Sequence, residues 1–214
     1  MNFWRRSRSQ RGQSVVEFAL ILPVIMFLML GMIELGFAIN HNTSLVTATR
    51  EGARVGSELV DGGNRKGLTP SNAASQAVDP QIIAATEGVL RSPGSPISVA
   101  QVTSIVIFET NEAGAATTNS NTWTKAINPD GSPNGAFIPN TAQHLYFSFN
   151  SGNWDASTRS GASPAHGIGV RINYTYQFIT PLGSLIKAVG GTLFGTSQIN
   201  MSDQTIMAME PPTP

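Results

Sequence analysis

Few residues in this chain are of types and spacings that could do chemistry. In "RGQSVVEFALILP", residues 11–23, a lone carboxylate, Glu17, stands at the mouth of an apolar run, five residues after Gly12 and behind Arg5, Arg6, Arg8 and Arg11. A carboxylate at the centre of a bilayer costs on the order of 3 kcal/mol and is a functional candidate by default, whereas among headgroups the penalty nearly vanishes. Charge alone leaves both readings open for Glu17, and for Glu34 at the far end of the run. His41, His144 and His166 are not spaced as ligands on one element, and without cysteine a zinc site would need distant carboxylates. Solvent-facing or hydrogen-bonded histidine is the expectation. No serine elbow or phosphate-cradling glycine loop occurs, and Asp130-Gly131 in "NPDGSP" lacks the repeated acids of a calcium loop and reads as a tight turn. The expectation is a non-enzymatic protein with no catalytic residue, no metal and no cofactor.

The elements that must position these residues follow from pattern. With 214 residues, 41% of them hydrophobic, the chain can build a core, and cysteine is absent. Only 12% of residues are charged, formal net charge is zero, and no basic stretch is interleaved with aromatics, which argues against nucleic acid as a partner. Four of the thirteen basic residues fall in residues 1–12 and no acid does, so the remainder carries a formal charge of −4. Basic residues followed by the uncharged stretch 18–33 read as a cytoplasmic segment feeding a membrane helix. That stretch of sixteen residues is about 24 Å long against a hydrocarbon core of about 30 Å. Counting on through Leu35 to Ile39 makes it long enough to span. Pro23 within it predicts a kink, because lipid offers the backbone no other partner.

Beyond the membrane, Leu45, Ala48, Gly52, Val55 and Leu59 recur every three or four residues while Arg50, Arg54 and Glu58 occupy other faces. One helix from about Gln13 to Val60 is predicted, stopped by Asp61-Gly62-Gly63-Asn64. A second helix is predicted over 71–90, divided by Pro80 and closed by the Ser/Pro/Gly stretch 92–96. The period then becomes two. Residues 97–109, 144–150 and 168–178 read as strands, with Ile168, Val170, Ile172, Tyr174, Tyr176 and Phe178 alternating with smaller or polar residues, and 197–210 reads as a last strand. A short helical turn is expected in the "TPLGSLIKAVGG" segment. The aromatic stripe at 174–178 reads as core. Residues 110–143 and 151–167, rich in Asn, Thr, Ser and Gly, fit no element and read as loop insertions. The fold class is α+β: a long N-terminal transmembrane helix, kinked in its membrane half, packed by its outer half against a mainly antiparallel sheet.

Gly12 followed by Gln13, Ser14, Val15, Val16, Glu17 and Phe18 resembles the processing site of prepilins, in which a membrane aspartyl protease cuts after the glycine. Cutting there would free the α-amino group of Gln13 one helical turn from Glu17, so amine and carboxylate could neutralise one another within or between chains. The stretch "RGQSVVEFALILPVIMFLMLGMIELGFA", then "ATREGARVGS" at 48–57, resembles the TadE-like family of minor pseudopilins of tight adherence (Tad) pilus systems, as does "VRINYTYQFITPLGSLIKAVGGTLFG" with the strand after it. The resemblance covers roughly 1–60 and 168–210. It implies a basic leader at 1–12, a transmembrane segment at 13–40, a helical continuation at 41–60, a connector with the second helix at 61–96 and a β-rich pilin-like head at 97–214. It also implies that Gly12 and Gln13 flank the scissile bond, that Glu17 aids alignment in the membrane and that Phe18 completes the recognised sequence. Glu34 matches an acidic position of the family and is read as an interfacial acid. The implied partners are a prepilin peptidase, other Tad pilins and pseudopilins, the inner-membrane assembly platform and membrane lipid. The N-terminus would be cytoplasmic and the head extracytoplasmic, with later entry into a cell-surface pilus. Because this reading is prokaryotic, the sequons at Asn42, Asn173 and Asn200 carry no weight.

Two rival classes share these residues. Residues 1–40 could be a secretory signal peptide cut at Gly36-Phe37-Ala38, releasing a soluble binding protein, although its apolar core would be long and would open on an acid. Arg5-Arg6 is not followed by the hydrophobic pair of a twin-arginine signal. An anchored adhesin outside any pilus would share the anchor without needing cleavage.

Overall fold

A glycine and a proline fail to interrupt the first helix, α1 (Ser7–Glu58), which passes through both Gly12 and Pro23. Its start lies six residues before the expected one, since nothing in Ser7 to Arg11 breaks a helix. These coordinates come from a computed structural model that describes residues 7–59, 72–137, 143–159, 166–184 and 198–209. The proposed helix stop at 61–64, Arg5 and Arg6 of the basic segment, and most of the stretch after Ser184 fall outside the described residues. The chain divides into two compact units, one of residues 1–39 and 177–199 and the other of 40–176 and 200–214.

In the second unit, Leu45, Ala48 and Gly52 of α1 and Leu59 just past its end are buried and Arg50 and Arg54 exposed, as the three-to-four spacing predicts, while Val55 of the predicted face is half-buried and Ala53 joins the core. Arg54 donates to Glu51 and Glu58 along the wet face. A second helix, α2 (Asn72–Leu90), buries Val78, Ile82, Ile83 and Leu90. Pro80 lies inside this helix, which continues through it.

The sheet has five strands: β1 (Val102–Thr110), β2 (Ala116–Lys125), β3 (Phe147–Gly152), β4 (Gly167–Gln177) and β5 (Gln198–Ala208), in the spatial order β3-β2-β1-β4-β5. β1 pairs antiparallel with both β2 and β4, and β2 with β3. β4 and β5 run in opposite directions too, with Arg171 bonded to Gln204 and Thr175 to Asn200. Register lines up Trp123, Ile105 and Ile172 in one row and Asn121, Ile107 and Val170 in the next. These rows form the buried face. Tyr174 and Tyr176 continue it, so the aromatic residues of β4 are core.

β2 corrects one expectation. "ATTNSNTWTK" falls within the stretch 110–143 that its composition reads as a loop insertion, yet it pairs on both sides, with β1 and with β3. Between two neighbours a strand needs few apolar residues of its own. Here Trp123 alone supplies a large buried apolar side chain. The β1–β2 hairpin is closed by Asn111, whose Oδ1 accepts the N–H groups of Ala113 and Ala115, and by Gly114 at φ 75°.

Two glycines of α1 set how closely its outer half packs. A Cβ on Gly52 would lie 2.4 Å from Thr86 Oγ1 of α2 and 3.3 Å from Val170 Cγ1 of β4. One on Gly56 would lie 2.8 Å from Ile168 Cδ1 and 3.3 Å from Ile82 Cδ1. The absent side chains let α1, α2 and β4 meet at one seam. This gives the "REGAR" segment a packing reason for its glycine.

Candidate functional site

In the first unit, α1 presents apolar side chains on every side. Val15, Phe18, Leu20, Val24, Leu28, Met32, Leu35 and Ile39 are all exposed. The apolar window has a mean hydropathy of 2.5 and none of it is buried within the protein. A helix apolar all round with no protein cover needs an apolar surrounding, since water would hydrate that surface at a free-energy cost proportional to its area. By length and composition α1 can cross a membrane once, and among the described residues it is the one helix that can.

The predicted processing residues lie together at its start. Gln13 Nε2 donates to Glu17 Oε1 at 2.9 Å across one helical turn. Glu17 and Phe18 are exposed, and a Cβ on Gly12 would meet no atom within 4 Å. Glycine in a helix interior costs about 1 kcal/mol relative to alanine. At Gly12 no contact among the described residues requires that cost.

Glu34 has a different setting. Between exposed Ile33 and Leu35 it is only 4% exposed. Its Oε1 accepts the N–H of Ile179 at 3.0 Å, and its Oε2 accepts the N–H of Thr180 at 2.9 Å and the Thr180 hydroxyl at 2.5 Å. The partners are about 145 residues away in sequence, so local pattern gave no sign of them. The segment they belong to, "FITPL", lies in the C-terminal stretch that resembles the TadE-like family.

The histidines are dispersed, each with its own partner. His144 Nδ1 donates to the Gly135 carbonyl at 2.8 Å, and His166 Nδ1 donates to Glu109 at 2.7 Å. His41, buried, lies 2.9 Å from the Tyr174 hydroxyl. That hydroxyl donates to Gln101 Oε1 at 2.6 Å, so its oxygen receives the His41 Nδ1 proton. Burial pushes the Tyr174 phenol up to about 12. Burial would also raise Glu109, but donors from Asn119, Thr117 and His166 outweigh it and hold the carboxyl below the usual range.

Sequence reasoning did not find the polar centre of the head. Asp79 of α2 pairs with Arg159 at 2.7 Å, both almost fully buried, and accepts Asn121 Nδ2 at 2.6 Å. Asn121 also bonds the main chain of Trp154 on both sides, and the Arg159 guanidinium stacks on the Trp154 ring. Asp79 before a proline and Arg159 in a Ser/Gly-rich stretch look like surface residues. Only the fold brings them together, and the geometry ties α2, β2 and the chain after β3 rather than assembling a reactive group. The second buried acid of α2, Glu87, accepts the Tyr146 N–H at 2.8 Å. Burial pushes its carboxyl up to about 7, against the opposing effects of that bond and of Arg91.

Fold and site together define an α+β protein with one N-terminal helix compatible with single-pass membrane anchoring. Residues 12–54 match the family model for TadE-like protein, bearing out the resemblance read from the sequence over the apolar helix and the start of its outer half. The match begins at Gly12 and includes Glu17, Glu34 and Gly52. It associates the chain with Tad pilus systems and, in general terms, with their other components. No curated protein and no solved structure matches the chain.

Proposed function

We propose that this protein is a minor pseudopilin, a structural subunit of a Tad-type pilus rather than an enzyme. A prepilin peptidase cuts it after Gly12, and it is held in the cytoplasmic membrane with its head outside until it enters or primes a pilus used in surface attachment. The observation that carries the reading is the family match beginning at Gly12, with Glu17 one turn beyond Gln13. A glycine that no contact among the described residues requires fits a residue selected by a protease. The side-chain bond from Gln13 to Glu17 marks where the new α-amino group would lie. Once cut, that amine can replace the Gln13 amide as the partner of Glu17, or reach Glu17 of a neighbouring subunit, so that two charges enter the membrane as a pair. Exposed apolar side chains and the open flanks of Gly31 and Gly36 suit close packing against other membrane helices.

Mass spectrometry of the protein extracted from membranes tests this. The mature chain should begin at Gln13, and a Gly12→Leu variant should remain full length. A mature N-terminus at Ile39 would establish the secreted alternative. A full-length native protein would remove processing and favour an anchored adhesin.

A further inference from the structure

The apolar run 18–33 is too short to cross a bilayer, and the residue that cuts it short is Glu34. The structure covers that acid. Three hydrogen bonds from Ile179 and Thr180 take up both carboxylate oxygens, and its exposure falls to 4% while Met32, Ile33, Leu35, Phe37 and Ile39 around it stay exposed. With Glu34 covered, the surface offered to lipid runs from Phe18 to Ile39, about 33 Å at 1.5 Å per residue against a core of about 30 Å. Glu34 then lies inside the outer part of the hydrocarbon layer, and the turn that covers it must lie there as well.

That turn is equipped for such a place. Its N–H groups at 179 and 180 are satisfied by Glu34, the Thr180 hydroxyl accepts the Leu182 N–H at 3.3 Å, and the Ser184 hydroxyl donates to the Pro181 carbonyl at 2.7 Å. Pro181 has no N–H to satisfy. Backbone in lipid must find its hydrogen bonds within the protein, and the N–H groups of residues 179, 180 and 182 and the Pro181 carbonyl do so. Of its exposed residues, Ile179 (58% exposed) and Pro181 are apolar, and Ser184 turns its hydroxyl back to the Pro181 carbonyl.

We propose that the turn 178–184 is a second lipid-contacting element, docked on the anchor by the Glu34 carboxylate and dipping Ile179 into the outer leaflet. Lipid is the occupant because the turn is fixed to a helix whose own flanks demand it, with Leu35 and Ile39 continuing the apolar surface beside the acid. Glu34 is a positioning residue: it holds the turn at membrane depth and removes its own charge from lipid. The inference rests on the membrane-anchor reading.

The chain has no cysteine, so single-cysteine labelling is clean. The full chain carrying Leu28→Cys, Ile179→Cys or Thr118→Cys, each labelled with the fluorophore NBD, is placed in nanodiscs of phosphatidylethanolamine and phosphatidylglycerol containing doxyl-labelled lipids. The probe at 28 should be quenched by deep doxyl groups, the probe at 179 by shallow ones at least about twofold more than the probe at 118, and the probe at 118, on β2, hardly at all. Quenching at 28 with none at 179 overturns the inference and leaves the anchor standing. No quenching at 28 overturns the anchor and the inference with it. Glu34→Ala should lower quenching at 179 about twofold, and Thr180→Val, which removes one bond of three and disturbs insertion less, should lower it part of the way. Quenching at 179 that neither variant alters would show that the carboxylate does not hold the turn.

Discussion

The seam of α1, α2 and β4 at Gly52 is where a small perturbation should have a large and interpretable effect. Gly52→Ala places a methyl group 2.4 Å from Thr86 Oγ1, about 1 Å inside ordinary contact, and 3.3 Å from Val170 Cγ1. Thr86 is fully buried and donates to the Ile82 carbonyl at 2.9 Å, so it cannot turn away without leaving its hydroxyl unpaired. That loss costs about 1–3 kcal/mol, comparable to overpacking in general. Alanine regains about 1 kcal/mol of helix propensity. The net expectation is a destabilisation of up to about 2 kcal/mol. Thr86→Ala removes the obstructing atom, so the double variant should recover most of the loss, with a coupling of about 1.5–3 kcal/mol. Gly88→Ala on α2, where a Cβ would meet nothing within 4 Å, should instead stabilise by about 0.5–1 kcal/mol. Urea unfolding of the full chain in detergent, followed by the fluorescence of buried Trp123 and Trp154, measures all four. A Gly52→Ala variant stabilised by the full helix-propensity gain of about 1 kcal/mol would refute the tight seam, and additive single effects would show that Thr86 is not the obstacle.

Three further outcomes follow from the head and the anchor. Glu87 has a carboxyl raised from 4.5 to about 7, so its contribution to stability is fully present below about pH 4.5 and is lost as pH rises through about 7; the amount is at most about 3.5 kcal/mol. Glu87→Gln, which keeps an acceptor for the Tyr146 N–H, should therefore raise the melting temperature at pH 8 and leave it nearly unchanged at pH 4.5. A flat difference across that range would contradict the assignment. Arg159→Met strands a buried carboxylate and should cost about 3–5 kcal/mol, while Asp79→Leu combined with Arg159→Met should cost less than the sum of the single changes in the same urea assay. Glu17→Val should still insert in the membrane yet fail in piliation, scored by recovery of sheared pili; normal piliation would leave Glu17 as an interfacial residue alone.

Periodicity made much of the fold legible. The apolar run, the three-to-four spacing from Leu45 to Leu59 and the strict alternation in β4 are local signals, because a helix or a half-buried strand writes its period into residues that are neighbours in sequence. β2 was not legible because its pairing partners, not its composition, make it a strand. The polar centre of Asp79, Asn121 and Arg159 was hidden for the same reason. Each residue is unremarkable in its own segment, and their significance arises when three distant segments exclude water together.

The anchor shows where that division falls. By itself the sequence determined that a basic stretch precedes an apolar helix, that Glu17 stands one turn from Gln13, and that Glu34 interrupts the run. It also carried the family resemblance, since that lies in contiguous residues. Tertiary structure alone decided what becomes of Glu34 and why Gly52 is small. A carboxylate's environment depends on the groups that reach it, and here those come from Ile179 and Thr180 at the far end of the chain. The need for a glycine likewise depends on Thr86 and Val170, which no spacing within α1 could reveal.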